Sequence, residues 1–195
     1  MDVVERVWRV LQAHPAVQDI TLVGSRARGS ATRFSDWDFR VDTDDFEQLA
    51  SVLPELVADL DPLASLWDPI TGGDACYMLI LEGPTKVDLI FDHPRANDPP
   101  WTVRADTVAA VDDHFWDWTL WLCAKQAAGK EDLVTGQPRK MFQHLLQPMG
   151  ATKVPASLQE AVGVYERLRA GCEAHFGVVV SRRLGEAVAP VVASV

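Results

Sequence analysis

The chain has 195 residues, of which 48% are hydrophobic, so it is long enough and apolar enough to bury a core. Its 28 acidic and 18 basic side chains give a formal net charge of -10, which disfavours a protein that binds nucleic acid through the phosphate backbone. No apolar run approaches the roughly 20 residues that a membrane span needs, and the charged start MDVVERVWRVLQ is unlike a signal peptide. We therefore expect a cytoplasmic protein without membrane contact.

The first half of the sequence alternates segments typical of helices and strands. In chain order it predicts a helix at about 2–13, a strand at 19–23, a glycine-containing turn, a strand at 36–41, a helix at about 45–59, a strand at 64–67 and a hairpin at 76–91. This order predicts an α+β fold in which a small mixed β-sheet is flanked by helices.

The second half changes to a helical pattern after a proline-rich segment. Residues 92–106 contain three prolines, which rule out a continuous helix or a central strand and mark a domain boundary. We therefore predict one domain at residues 1–105 and a second at residues 106–195. The second domain is predicted to be a C-terminal helical bundle, with helices at about 112–128, 138–146 and 157–175.

Two aspartates stand in the strand predicted at 36–41. Because side chains alternate across a strand, Asp36 and Asp38 project from one face while Trp37 and Phe39 face the core. Paired carboxylates repel one another unless a cation lies between them, and hard oxygen ligands of this kind suit Mg²⁺. Taken alone, the pair fits the solvated face of an ordinary half-buried strand better than a metal site.

The turn GSRARGS, which precedes this strand, carries a second feature. Gly24 and Ser25 follow an apolar strand, and Gly29 closes a short turn that bears Arg26 and Arg28. Such a turn can expose backbone N–H groups, a hydroxyl and guanidinium groups to a phosphate chain. Arginines beside carboxylates also serve as charge balance, but that role needs no flanking glycines. The turn is neither a Walker A loop nor a GxGxxG fingerprint.

A third carboxylate lies in the second strand of the predicted hairpin. In TKVDLIF, Val87, Leu89 and Phe91 alternate inward, which places Asp88 on the other face with Lys86. Alone, Asp88 would be a surface strand residue. If its strand neighbours the strand of Asp36, three carboxylates meet.

In this combination Gly24, Ser25, Asp36, Asp38 and Asp88 resemble the motif of the nucleotidyltransferase superfamily, which includes DNA polymerase beta. The segment GSRARGSATRFSDWDF is similar to the small bacterial branch, which contains aminoglycoside adenylyltransferases and minimal nucleotidyltransferases that are paired with helical toxin partners. The resemblance covers the first domain. A helical second domain is similar in architecture to that of the antibiotic-modifying members.

The resemblance implies a role for each motif residue. The residues implied to bind the nucleotide phosphates are Gly24, Ser25, Arg26, Arg28 and Gly29. The residues implied to form the catalytic metal site are Asp36, Asp38 and Asp88, with Asp88 also expected to activate the attacking hydroxyl. Two Mg²⁺ ions about 3.5–4 Å apart would be expected, with ATP as the donor. A hydroxyl of the acceptor would attack the α-phosphorus, and pyrophosphate would leave.

Three functions remain open at this point. One is transfer of AMP to a small-molecule acceptor such as an aminoglycoside-like antibiotic, since an acidic cleft attracts a polycation. Another is an antitoxin-type enzyme that adenylylates a helical partner protein, for which the second domain is unnecessary. The third is a nucleotide-binding module without turnover, which the complete set of carboxylates disfavours. The protein is expected to be a monomer or a homodimer.

The general base also has alternatives to Asp88. By position in the second domain, Asp112, Asp113 and Glu131 are candidates. An acid near the start of a helix is more often a cap or a partner of the helix dipole, so Asp88 is preferred.

Overall fold

A computed structural model of the chain describes residues 2–68, 73–95 and 102–195. It divides into two compact units, Met1–Asp98 and Pro99–Val195. Part of the proline-rich segment that led us to predict a boundary between residues 105 and 106 lies outside the described residues, and that boundary stays a prediction.

The first unit combines a five-stranded sheet with helices. Its elements are α1 (Val3–Gln12), β1 (Val17–Leu22), α2 (Gly24–Ala27), β2 (Trp37–Thr43), α3 (Phe46–Leu56), a 3₁₀ turn (Val57–Leu60), β3 (Ala64–Trp67), β4 (Asp74–Leu81) and β5 (Thr85–Pro94). The strand at 36–41 and the hairpin at 76–91 were predicted, and β2, β4 and β5 confirm them within a few residues.

The sheet is mixed, with the strand order β1-β2-β5-β4-β3. Strands β2 and β5 run parallel, whereas the other neighbouring pairs are antiparallel. A tight connection joins β4 to β5, and Gly83 in it has a φ of +90°, a conformation that glycine adopts without steric cost. The mixed sheet and its flanking helices confirm the predicted α+β class.

Alternation along the strands builds the core of this unit. Phe39 and Val41 of β2, together with Leu89 and Phe91 of β5, are almost fully buried in one apolar cluster. Residues of α1 and α3, including Leu11, join the same cluster. The inward residues predicted from the alternation are therefore correct, and the opposite face of β2 and β5 is the one that bears the aspartates.

One local prediction differs from the structure. The segment GSRARGS was predicted as a turn, but Gly24–Ala27 forms one turn of α-helix. A four-residue helix is too short to show an amphipathic period, so the sequence pattern could not distinguish it from a turn.

The second unit is helical, which confirms the predicted C-terminal helices. Its elements are α4 (Val108–Ala127), α5 (Glu131–Val134), α6 (Gln137–Met141), a π-helical turn (Phe142–Leu146), α7 (Leu158–Phe176) and α8 (Arg183–Val192). Helix α4 is buried on nearly every side, as its almost uniform apolar character predicted. Ser157 caps α7 by accepting a hydrogen bond from the Glu160 N–H at 3.1 Å.

A bilayer-spanning helix would need about 20 mostly apolar residues. Among the residues that the structure describes, no helix has both the length and the apolar character to cross a membrane.

Candidate active site

The parallel pairing of β2 with β5 brings the three predicted carboxylates together. Asp38 lies directly opposite Asp88 in the ladder, and Asp36 immediately precedes β2. One carboxylate oxygen from each of Asp36, Asp38 and Asp88 lies within 4.8 Å of the other two. The sequence left open whether the two strands are neighbours, and the structure shows that they are.

This cluster has the chemistry of a site for a divalent cation. Asp36 is buried, with 8% of its surface exposed, whereas Asp38 and Asp88 are half-buried. Three carboxylates at this separation repel one another, and hard oxygen donors of this kind are the ligands that Mg²⁺ binds. The donor set therefore fits the cation that the resemblance implied.

Gly24 packs directly against the carboxylate of Asp38. Its φ is +69°, and a Cβ atom built on it would overlap the carboxylate group, lying 2.7 Å from Asp38 Cγ. The N–H of the preceding residue, Val23, donates to the Asp38 carbonyl at 2.8 Å, which closes the turn onto β2. A glycine is therefore required here both by the backbone conformation and by the space that Asp38 occupies.

We expect Gly24→Ala to weaken divalent-metal binding as well as fold stability, because the new methyl group would displace Asp38. The positive φ alone should cost about 1–2 kcal/mol in free energy of unfolding. Gly29→Ala is the matched control, because Gly29 also has a φ of +69° but a Cβ there meets no atom within 4 Å. Urea unfolding should show a stability loss in both variants. Calorimetric titration with Mn²⁺ should show weaker metal binding in Gly24→Ala only. Equal metal affinity in the two would contradict the steric role of Gly24.

The remaining residues of the predicted phosphate-binding turn lie on or just after α2. Ser25 is half-buried in α2, and its carbonyl accepts a hydrogen bond from the Ser30 N–H at 3.0 Å. Arg28 and Gly29 follow the helix and are exposed. The turn thus begins against Asp38 and ends in solvent.

Arg26 lies differently from Arg28. Its guanidinium group donates to the backbone carbonyls of Ser35 and Asp36 and stacks over the ring of Trp37. The resemblance implied that both arginines bind phosphates, whereas in the structure the guanidinium group of Arg26 contacts the backbone at the start of β2.

Lys86 lies beside Asp88, although no role for it was predicted from the sequence. Its ammonium group lies 3.0 Å from Asp88 Oδ1 and 3.2 Å from Met78 Sδ, and only 5% of the side chain is exposed. A buried ammonium needs a paired anion, so Lys86 and Asp88 hold each other in place. The alternation that put Lys86 on the face of Asp88 was the available signal, but it did not reveal that Lys86 would be buried.

The alternative acids of the second unit have distinct surroundings. Asp112 is buried and accepts hydrogen bonds from the Tyr165 hydroxyl and the Arg169 guanidinium group. Burial, with the nearby carboxylates of Asp112 and Asp117, raises the pKa of Asp113 to about 7. Glu131 is exposed at the first residue of α5.

Comparison with known proteins adds a family match. Residues 4–78 match the family model described as nucleotidyltransferase domain. This region contains the turn and the paired aspartates, whereas Asp88 lies beyond it. No curated protein matches the chain in sequence.

Two solved structures are similar to this chain at low sequence identity. One is an aminoglycoside 6-adenyltransferase from Bacillus subtilis, with 10% sequence identity and a TM-score of 0.41 over 97% of this chain and 96% of that one. The other is the polymerase core of TRAMP, an RNA surveillance complex, with 13% identity and a TM-score of 0.35 over 57% of this chain and 37% of that one.

Proposed function

We propose that this chain, which contains a nucleotidyltransferase domain, transfers AMP from ATP to a hydroxyl group of a small-molecule acceptor. The observation that carries the proposal is the meeting of Asp36, Asp38 and Asp88 beside the turn that begins at Gly24. The carboxylates can bind a metal ion, and the exposed backbone of the turn can bind phosphates. Binding of a metal–nucleotide complex requires both. Since the reaction consumes ATP, we place it in the cytoplasm.

The carboxylates are the proposed metal site. When bound there, Mg²⁺ supplies positive charge to the triphosphate and lowers the pKa of the acceptor hydroxyl. Asp36 and Asp38 would hold the cation through one carboxylate oxygen each, which lie within 4.8 Å of one another at the start of β2. Asp88 would contribute an oxygen from the neighbouring strand, in register with Asp38.

The turn is the proposed phosphate site. Ser25 would offer its hydroxyl and the exposed backbone at Gly29 its N–H group to phosphate oxygens. Arg28, which is exposed at the end of α2, would neutralise charge on the departing pyrophosphate. Gly24 would keep the turn close to Asp38, so that the phosphates and the carboxylates share one site.

The proposed reaction is an in-line displacement at the α-phosphorus. The acceptor oxygen forms a bond to that phosphorus while the bond to the bridging oxygen of the β-phosphate breaks, and pyrophosphate leaves. Asp88 takes the proton from the acceptor hydroxyl. Lys86, at 3.0 Å from Asp88 Oδ1, orients that carboxylate.

The acceptor is proposed to be a small cationic molecule. The chain carries an excess of acidic side chains, most of it in the first half, and a negative field raises the local concentration of a polycation. Aminoglycoside-like antibiotics have both the positive charge and the hydroxyl groups that this requires. A helical partner protein as acceptor is the alternative, and it predicts labelled protein rather than a labelled small molecule.

We expect incubation with α-labelled ATP, Mg²⁺ and a panel of polyhydroxylated amines to release pyrophosphate and to yield a labelled small molecule. Excess chelator should abolish both products, because the carboxylates cannot hold the triphosphate without a cation. Mass spectrometry of the acceptor should show an added AMP. A panel without any adduct, alongside labelling of a co-expressed helical protein, would favour the alternative function. Undiminished transfer in chelator would refute the metal site.

A further inference from the structure

Arg26 reaches across its own turn to the backbone that leads into β2. Its Nε donates to the carbonyl oxygens of Ser35 and Asp36 at 3.0 and 3.1 Å, and a terminal nitrogen donates to the Ser35 carbonyl at 2.6 Å. Its guanidinium carbon lies 4.1 Å from the ring centre of Trp37. One side chain thus holds three consecutive residues, and the middle one is Asp36.

Asp36 lies outside the strand ladder that fixes the backbone of the other two carboxylates. Strand β2 begins at Trp37, so Asp36 lies one residue before the ladder that sets Asp38 opposite Asp88. The chain that leads to it from the end of α2 is irregular and is exposed at residues 28–31. A backbone of this kind takes up many conformations unless other contacts restrain it.

We infer that Arg26 is a positioning residue for metal binding: it fixes the backbone at Asp36 so that this carboxylate meets those of Asp38 and Asp88. The inference deepens the proposed function and rests on the proposed metal site. This positioning role requires the planar shape of the arginine side chain. A planar guanidinium group can bond two adjacent carbonyls and stack on an indole ring at the same time, whereas a lysine ammonium group cannot.

The geometry distinguishes this role from a direct phosphate contact. An arginine that binds a phosphate typically points two of its N–H groups at the phosphate oxygens. In Arg26, Nε and a terminal nitrogen point at backbone carbonyls of the same chain. The two roles predict different defects, because the positioning role affects metal binding before any nucleotide is present.

The test is calorimetric titration of the full-length, nucleotide-free protein with Mn²⁺. We expect Arg26→Gln to weaken Mn²⁺ binding by about tenfold or more, as the loss of an outer-shell partner does at metal sites. Arg26→Lys should restore little of the affinity, because it lacks the planar fork. In transfer assays, saturating metal should return kcat of both variants towards the wild-type value. The matched control is Arg33→Gln, an exposed arginine of the same segment that stacks over Phe34 at 4.3 Å, and it should bind Mn²⁺ normally.

A second variant guards against a global folding defect. Trp37→Leu removes the stacking surface and leaves the hydrogen bonds of Arg26, so it should weaken Mn²⁺ binding in the same direction but less. Hydrogen exchange at residues 30–38 should rise in Arg26→Gln while the rest of the sheet stays protected. Normal Mn²⁺ affinity in both Arg26 variants, with weaker binding of ATP, would overturn the inference and assign Arg26 to the phosphates.

Failure of the proposed function gives a different result. If the wild-type protein binds no Mn²⁺, the metal site itself is refuted. Hydrogen exchange then decides the role of Arg26 alone: unchanged exchange at residues 30–38 in Arg26→Gln would show that this side chain does not position the segment.

Discussion

Asp88→Asn is expected to lower nucleotidyl transfer by about a hundredfold or more, the usual effect of removing a general base. Asparagine keeps the shape of the side chain and one oxygen for Lys86, but it cannot take a proton from the acceptor. Nucleotide binding should fall less than in the double variant Asp36→Asn and Asp38→Asn, because those two aspartates are proposed to hold the metal that carries the triphosphate. Steady-state transfer to a true acceptor and calorimetry with ATP and Mg²⁺ measure the two effects separately.

Asp92→Asn provides the matched control for this prediction. Asp92 lies on the same strand, β5, and is exposed. Its replacement should leave both transfer and nucleotide binding unchanged. A thermal melt of Asp88→Asn checks that the variant stays folded once Lys86 faces a neutral amide in place of a carboxylate. Near-normal transfer by a folded Asp88→Asn would remove Asp88 from the catalytic set, and Asp113 and Glu131 would be tested next.

Arg169→Met is expected to destabilise the protein by about 3–5 kcal/mol, because it leaves the carboxylate of Asp112 buried without its cation. Arg169 Nη1 donates to Asp112 Oδ1 at 2.8 Å, and both side chains are almost fully buried. Tyr165 donates its hydroxyl to the same oxygen at 2.5 Å, so Tyr165→Phe should cost less, about 1–2 kcal/mol. Urea unfolding followed by far-ultraviolet circular dichroism gives the free energies.

The pH dependence of this loss has a definite sign. Burial raises the pKa of Asp112, although the hydrogen bonds from Tyr165 and Arg169 lower it in part. Without Arg169 the pKa rises further, so the carboxyl group of the variant accepts a proton at a higher pH. The deficit relative to wild type should therefore be largest at neutral and alkaline pH and should shrink as the pH falls.

Two further variants check the cause of this effect. Arg167→Met, on the same helix but exposed, should change stability little. Adding Asp112→Asn to Arg169→Met should recover part of the loss, since the remaining buried group is then neutral. If the single variant and the double variant were equally unstable, lost packing rather than an unpaired charge would be responsible.

The sequence by itself determined the elements and the side-chain faces of the first unit. Alternation over two residues is a local property, so it correctly placed Phe39 and Leu89 in the core and Asp38 and Asp88 on the opposite face. The motif residues could be identified for the same reason, because the turn and the paired aspartates lie within a short stretch of chain. Helix α2 was missed because four residues are too few to show a period.

Only the tertiary structure decided which distant groups meet. The parallel pairing of β2 with β5 joins strands that are separated in sequence by α3, the 3₁₀ turn, β3 and β4, and no local pattern specifies such a neighbour. Burial of Lys86 beside Asp88 follows from the packing around that face, and the sequence could show only that the two share it. Asp112 and Arg169 are 57 residues apart in sequence, and they form a buried pair because packing of α4 with α7 removes both from water. Contacts of this kind depend on how whole elements pack, which is why spacing along the chain could identify the candidate aspartates but not the residues that hold them in place.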